Sequence, residues 1–250
     1  MEDITIENDG YVCKIQFNTQ CYLNQKILTF LCKQLEIAER NISIKVILFI
    51  GEKHVFSKGQ DVREICVAYE NKISSYSSTL KNTYHRMLKI IRNSSKTYIS
   101  IVNGIAVGAA MSIALSCDII IASNKAVFYM PYIELGLIPD GGILYILLTT
   151  IGYHKTYELI CTKRYYTANE LYELGIINSI GNEQEILDQT KQLVAKFDDN
   201  FNINSLIKSY LNINMNKIGL ERALYYECKY QDLARNTIEH AKAMRKLKLQ

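Results

Sequence analysis

Residues 98–123 read YISIVNGIAVGAAMSIALSCDIIIAS. The run is nearly free of charge and about as long as the roughly 20 residues that a bilayer-spanning helix needs. Three features argue against a span. Asn103 and Gly104 form a turn signal, Asp118 falls inside the run, and β-branched clusters flank an alanine-rich middle. The stretch therefore divides into strand, glycine turn, buried helix and strand.

The same alternation continues on either side. Residues 11–17 (YVCKIQF) and 45–50 (KVILFI) read as strands. Between them a helix near 25–39 sets Ile27, Leu31, Leu35 and Ala38 on one face. An amphipathic segment at 74–93, carrying Leu80, Tyr84, Met87, Leu88 and Ile91, leads into a strand at 97–102. Such alternation predicts an α/β chain with a mostly parallel sheet covered by helices. From about residue 184 only helical patterns remain, with 198–204 (DDNFNIN) reading as an internal loop. The expected division is a core over residues 1–190 and a helical oligomerisation or lid region over 191–250.

Composition narrows the function. With 250 residues, 48% hydrophobic and 22% charged, the chain can bury a sizeable core. Twenty-nine basic residues against 25 acidic ones leave a net charge of +4. That excess is spread along the chain and is too small for a nucleic-acid footprint, although a phosphate-bearing small ligand remains allowed. The seven cysteines include no CxxC pair and no histidines at metal spacing, so no metal site is expected. They read as small buried hydrophobes in a reducing cytosol. The N-terminal MEDITIENDG is acidic where a signal peptide would be basic and then apolar, which again points to a cytoplasmic protein without membrane attachment.

Three glycine-bearing segments each follow an apolar strand-like run: 56–61 (FSKGQD), 103–110 (NGIAVGAA) and 139–142 (PDGG). Loops at the carboxyl ends of α/β strands are where ligands bind, yet each segment alone is also an ordinary turn. Gly108, Ala109 and Ala110 open a helix of small residues whose first amides lack intrahelical partners and could stabilise an oxyanion. The same small residues could equally serve close packing against the sheet.

In this order and spacing the segments resemble the crotonase superfamily of enoyl-CoA hydratases and isomerases. Residues 56–61 match its FSxGxD loop, 103–122 its NGxAxGxxxxxxLxCDxxIA unit, 128–142 its FxxPxxxLGxxPxxG stretch and 166–178 its YxAxEAxxxGLVN stretch. The likeness runs continuously over about residues 8–180. It implies a spiral of ββα units with a C-terminal helical region, a homotrimer or hexamer, and an acyl-CoA or acyl-carrier-protein thioester as substrate. No cofactor is implied beyond coenzyme A as the substrate's carrier. Two backbone N–H groups, carried over to Gln60 and Ala109, would grip the thioester oxygen, with Lys58, Gly59, Asp61, Gly108 and Tyr132 bordering the substrate.

Departures from the family pattern bear on the reaction. The hydratases place glutamates where this chain has Ser112 and Tyr132, and neither is a neutral-pH base unaided. Asp140 matches the catalytic carboxylate of isomerase-type members and is expected to shuttle a proton between carbons, although an aspartate before two glycines also fits a turn or a helix cap. Decarboxylase, hydratase, hydrolase or dehalogenase chemistry at the same site, and a non-catalytic thioester-binding subunit, are the rival readings. Residues 18–25 (NTQCYLNQ) replace the family's NRPxxxNA stretch beside the adenine pocket, which leaves the carrier open. Glu134 reads as a solvated carboxylate, Asp61 and Asp118 as loop supports and His85 as a structural histidine. Lys242, Arg245, Lys246 and Lys248 read as a solvated helix face.

Overall fold

A computed structural model describes residues 3–18, 21–71, 77–199, 201–217 and 219–248. Its larger sheet has six strands in the order β1 (Ile4–Asp9), β2 (Val12–Phe17), β3 (Val46–Gly51), β5 (Thr97–Val102), β7 (Ile119–Ser123) and β10 (Ser179–Gly181). From β2 onward every pairing is parallel, and β1 closes the edge as an antiparallel hairpin. That hairpin strand adds to the sequence reading. Only Ile4 is fully buried along it, so its alternation is faint.

The smaller sheet orders β4 (Val55–Ser57), β6 (Ile105–Val107), β8 (Val127–Tyr129) and β9 (Tyr166–Thr167). Each ββα turn contributes one strand to each sheet: β3 and β4 lead into α2 (Val62–Glu70), and β5 and β6 into α5 (Ala109–Ser116). Next, β7 and β8 lead through a 3-10 turn (Pro131–Leu135) into α6 (Ile143–Cys161), which kinks at Gly152. The Asn103 side chain fastens two of these units by donating to the carbonyls of Gly51 and Lys53.

One face of the large sheet packs against α1 (Gln25–Arg40), α4 (Tyr84–Asn93) and α5 in the main apolar core. Its other face buries Val46, Leu48, Ile99, Ile101 and Ile121 under Ile186 and Val194 of α8 (Glu183–Asp199). All six residues of β5 are accordingly buried. Residue 190 falls inside α8, whose apolar stripe covers this face of the sheet. Residues 98–123 fold as β5, β6, α5 and β7 with their joining turns, and no described helix is long and apolar enough to cross a membrane.

Other expectations also change. The single helix at 74–93 is two, α3 (Ser77–Asn82) and α4, because the Thr83 hydroxyl turns back onto the Thr79 carbonyl at 2.6 Å and its backbone leaves the helical region. Residues 74–76 lie outside the described residues, as do Thr19 and Gln20 of the 18–25 stretch. No loop spans 201–204, where α9 (Phe201–Lys217) begins. Lys45 pairs with Asp198 of α8 at 2.5 Å and sits 6.0 Å from the ring of Phe201, which opens α9. Five cysteines are buried, but Cys66 is half-buried and Cys161, at the outer end of α6, is exposed. Burial pushes the thiols of Cys21 up to about 12 and Cys32 up to about 11. The remaining helices are α7 (Ala168–Glu173), opened by a Thr167–Glu170 capping box, α10 (Leu220–Arg235) and α11 (Ile238–Lys248).

Candidate active site

All three glycine-bearing segments leave the carboxyl ends of parallel strands of the small sheet: 58–61 after β4, Gly108 after β6, and 130–142 after β8. Topology alone therefore brings them to one end of the molecule.

The first loop is held by its own backbone. Leu23 N–H donates to Gly59 O at 2.8 Å, and Asp61 N–H donates to Leu23 O at 3.3 Å. These bonds bracket Gln60, and the alternation of extended backbone turns the Gln60 N–H to the side opposite Leu23. The Asp61 carboxylate caps α2 through Arg63 N–H at 3.0 Å and takes the Arg63 guanidinium at 2.7 Å, a bond that holds its pKa below the usual range. Lys58 lies over the Tyr22 ring at 5.4 Å.

Gly59 has φ +80°, and a Cβ there would fall 2.2 Å from the Val107 carbonyl oxygen and 3.7 Å from Ala109 N. The loop can press this close to β6 only because the side chain is missing. Gly108, at φ +52° and ψ −116°, makes the sharp entry to α5, donating to Tyr129 O at 2.8 Å. Every residue of α5 is buried, so the Ala109 amide, first of the helix, sits in a desolvated place at the positive end of the helix dipole.

Asp140 lies beside this helix and is 2% exposed. The Tyr132 hydroxyl donates to its Oδ1 at 2.9 Å, and the Ser112 hydroxyl donates to its backbone carbonyl at 2.9 Å. A Cβ on Gly108 would lie 3.9 Å from Tyr132 Oη, which places Gly108 beside the hydrogen-bonded Tyr132–Asp140 pair. Burial pushes the Asp140 carboxyl up to about 7, the charge of Glu227 adds to the rise, and hydrogen bonds from Tyr132 and Gln231 oppose it. Burial also drives the Tyr132 hydroxyl well above its ordinary value, so it serves as a donor.

The sequence reading missed Glu227 and Gln231. Both lie on the buried stripe of α10 with Leu220, Leu224 and Cys228. A carboxylate and an amide at core-facing helix positions are the signal that could have found them. The Gln231 side chain bridges the N–H and C=O of Ile138, and Glu227 accepts from Gly142 N–H at 2.9 Å. His85 of α4 faces the same group, its Nε2 2.8 Å from Glu227 Oε1. Glu134 is exposed, and Asp118 holds Tyr98 N–H and Lys208 at 2.8 and 2.7 Å. His240 binds Leu135 O through Nδ1 at 2.6 Å. Lys248 pairs with Glu70 at 2.5 Å, while Lys242, Arg245 and Lys246 are exposed. Among the described residues no cluster of histidine, cysteine or carboxylate side chains could hold a metal ion.

Two sheets wound from ββα turns, with glycine loops and a buried carboxyl converging at one end, define a protein of the crotonase fold. An enoyl-CoA hydratase from Mycobacterium avium subsp. paratuberculosis K-10 superposes with a TM-score of 0.85 over 98% of each chain at 19% identity, a likeness of fold. The chain belongs to the enoyl-CoA hydratase/isomerase family, whose sequence model matches residues 7–246. It is 26% identical over 196 residues to 4-chlorobenzoyl coenzyme A dehalogenase-2 of an Arthrobacter species, covering 77% of this chain and 71% of that one. It is 27% identical over 219 residues to the 1,2-epoxyphenylacetyl-CoA isomerase of Escherichia coli K12, covering 87% and 83%.

Proposed function

We propose that the chain isomerises the double bond of an enoyl-CoA thioester. In a 3-enoyl thioester Asp140 takes a proton from C2 and returns it to C4, while the Gln60 and Ala109 N–H groups carry the dienolate charge on the thioester oxygen. The carrying observation is the buried Asp140 carboxyl beside Tyr132, with a pKa of about 7. A shuttle must accept and release one proton in each cycle, and a group poised near neutrality does both. Hydration needs a second base, and the two positions that would supply it are otherwise engaged: Ser112 donates to the Asp140 carbonyl and Tyr132 to the Asp140 carboxyl. Coenzyme A is the carrier we assign, since both sequence relatives are named for CoA thioesters.

The test is incubation with 3-enoyl-CoA and 2-enoyl-CoA in deuterium oxide, following double-bond position, hydration and exchange at the α-carbon. Isomerisation lost in Asp140→Asn with thioester binding retained supports the proposal. Binding with no exchange in the wild type points to a thioester-binding subunit, and release of carbon dioxide from a carboxyacyl-CoA to a decarboxylase. The same assay with acyl-carrier-protein thioesters tests the carrier.

A second reading, with Asp140 as a nucleophile, has the likeness to the dehalogenase in its favour. We rank it second because the chain has no tryptophan to help bind an aromatic ring. Turnover in oxygen-18-labelled water would place label in the Asp140 carboxyl only on this route. Assembly as a trimer or hexamer in the cytoplasm completes the proposal. The exposed Leu148, Tyr153 and Tyr157, on the rim of an apolar cavity of about 350 Å³, offer surface for it, and sedimentation measures it.

A further inference from the structure

Behind Asp140 stands a second buried carboxyl. Glu227 and His85 are 6% and 4% exposed, and each oxygen of Glu227 has its own partner. Oε1 lies 2.8 Å from His85 Nε2, and Oε2 accepts the Gly142 N–H at 2.9 Å. Gly142 caps α6 two residues after Asp140, so this bond fixes the loop that carries the Asp140 side chain. A Cβ on Gly142 would fall 2.3 Å from Leu88 Cδ2, and one on Gly141 would lie 3.8 Å from Tyr84 Cβ, so α4 walls the loop from the other side.

The titratable groups facing Asp140 come from three elements: Tyr132 of the 3-10 turn, Glu227 of α10 and, on α4, Tyr84 beside Gly141 with His85 behind Glu227. Ser112 of α5 and Gln231 of α10 are its uncharged neighbours. Both oxygens of Glu227 are engaged by protein groups, so it acts on the reaction through Asp140 and not on substrate. A negative charge nearby makes a second carboxylate harder to form, and a carboxyl that holds its proton more tightly is a stronger base when it does ionise.

We infer that Glu227, held by His85, is a positioning residue: it aims the Asp140 loop through the Gly142 amide and strengthens Asp140 as a base through its negative charge. The inference rests on Asp140 being the proton shuttle.

The test is the pH profile of α-proton exchange in Glu227→Gln, which keeps the acceptor for Gly142 N–H and loses the charge. The acidic limb of kcat/KM is expected to move to lower pH by half a unit or more. Exchange on the plateau should fall by up to about threefold with KM within twofold. An unmoved limb in a variant that melts cooperatively overturns the inference, as does a rise in KM at constant kcat. Should the variant not fold, carbon NMR of carboxyl-labelled wild type decides: Glu227 already ionised where Asp140 titrates supports it. Glu227 still protonated there overturns it, because a neutral acid repels nothing. Asp140→Asn separates the two claims. If that variant still exchanges, the shuttle reading itself fails; if it is dead and the Glu227→Gln limb is unmoved, only the positioning role fails.

Discussion

The Tyr132 hydroxyl and the Asp140 carboxyl meet across 2.9 Å, both buried, with the phenol as donor. That bond favours the ionised carboxylate and opposes the rise caused by burial. Tyr132→Phe therefore raises the proton affinity of Asp140 further, by about one unit if the bond contributes about 1.4 kcal/mol. The acidic limb of kcat/KM moves up by that amount, and exchange at pH values below the limb falls about tenfold. Deuterium incorporation at the α-carbon, measured across pH, checks both.

Asp140 also leaves a mark on folding. Its carboxyl binds a proton near pH 7 in the fold against 3.8 for the free side chain, so between those values the folded state holds more protons than the unfolded one. Stability therefore falls as pH rises through that window, by an amount on the order of 4 kcal/mol once above it. Asp140→Asn has no charge to bury. Chemical denaturation should find it gaining on the wild type from pH 4 to 8, with no further gain at higher pH.

Gly59→Ala tests the first loop. Its Cβ would fall 2.2 Å from the Val107 carbonyl, so the loop must withdraw from β6 and carry the Gln60 amide out of register with Ala109. Under the proposed role of the Gln60 amide, loss of that oxyanion donor costs roughly 100-fold to 1000-fold in kcat. Circular dichroism should show the fold retained while steady-state kinetics shows the loss.

The helical region is pinned at Lys208, whose ammonium lies 2.7 Å from Asp118 Oδ2, 2.7 Å from the Lys96 carbonyl and 4.9 Å from the Tyr98 ring centre. Lys208→Met leaves Asp118 without its cation at a site where both side chains are largely covered. A cost of about 3 kcal/mol is expected. Thermal melts should show it, and Asp118→Asn in the Lys208→Met background should recover part.

How far the sequence could be read depended on range. β2, β3, β5 and β7 of the large sheet and α1 announce themselves through apolar runs and local periodicity, and the loops at Gly59, Gly108 and Asp140 through glycines whose purpose is local. β4, β6 and β8 are three residues each, too short for alternation to register, so the second sheet was visible only through resemblance. Glu227 and Gln231 escaped for a different reason. They reach the site through the packing of α10, and a helical pattern says which face is buried without saying against what. Residues 201–204 read as loop because they belong to a largely polar stretch, and nothing local announces that Lys45, just before β3, reaches Asp198 and the Phe201 ring.

α10 delivers Glu227 and Gln231 to the neighbourhood of Asp140 from more than 80 residues further along the chain, so a change in how that one helix packs reaches the carboxyl without disturbing a strand of either sheet.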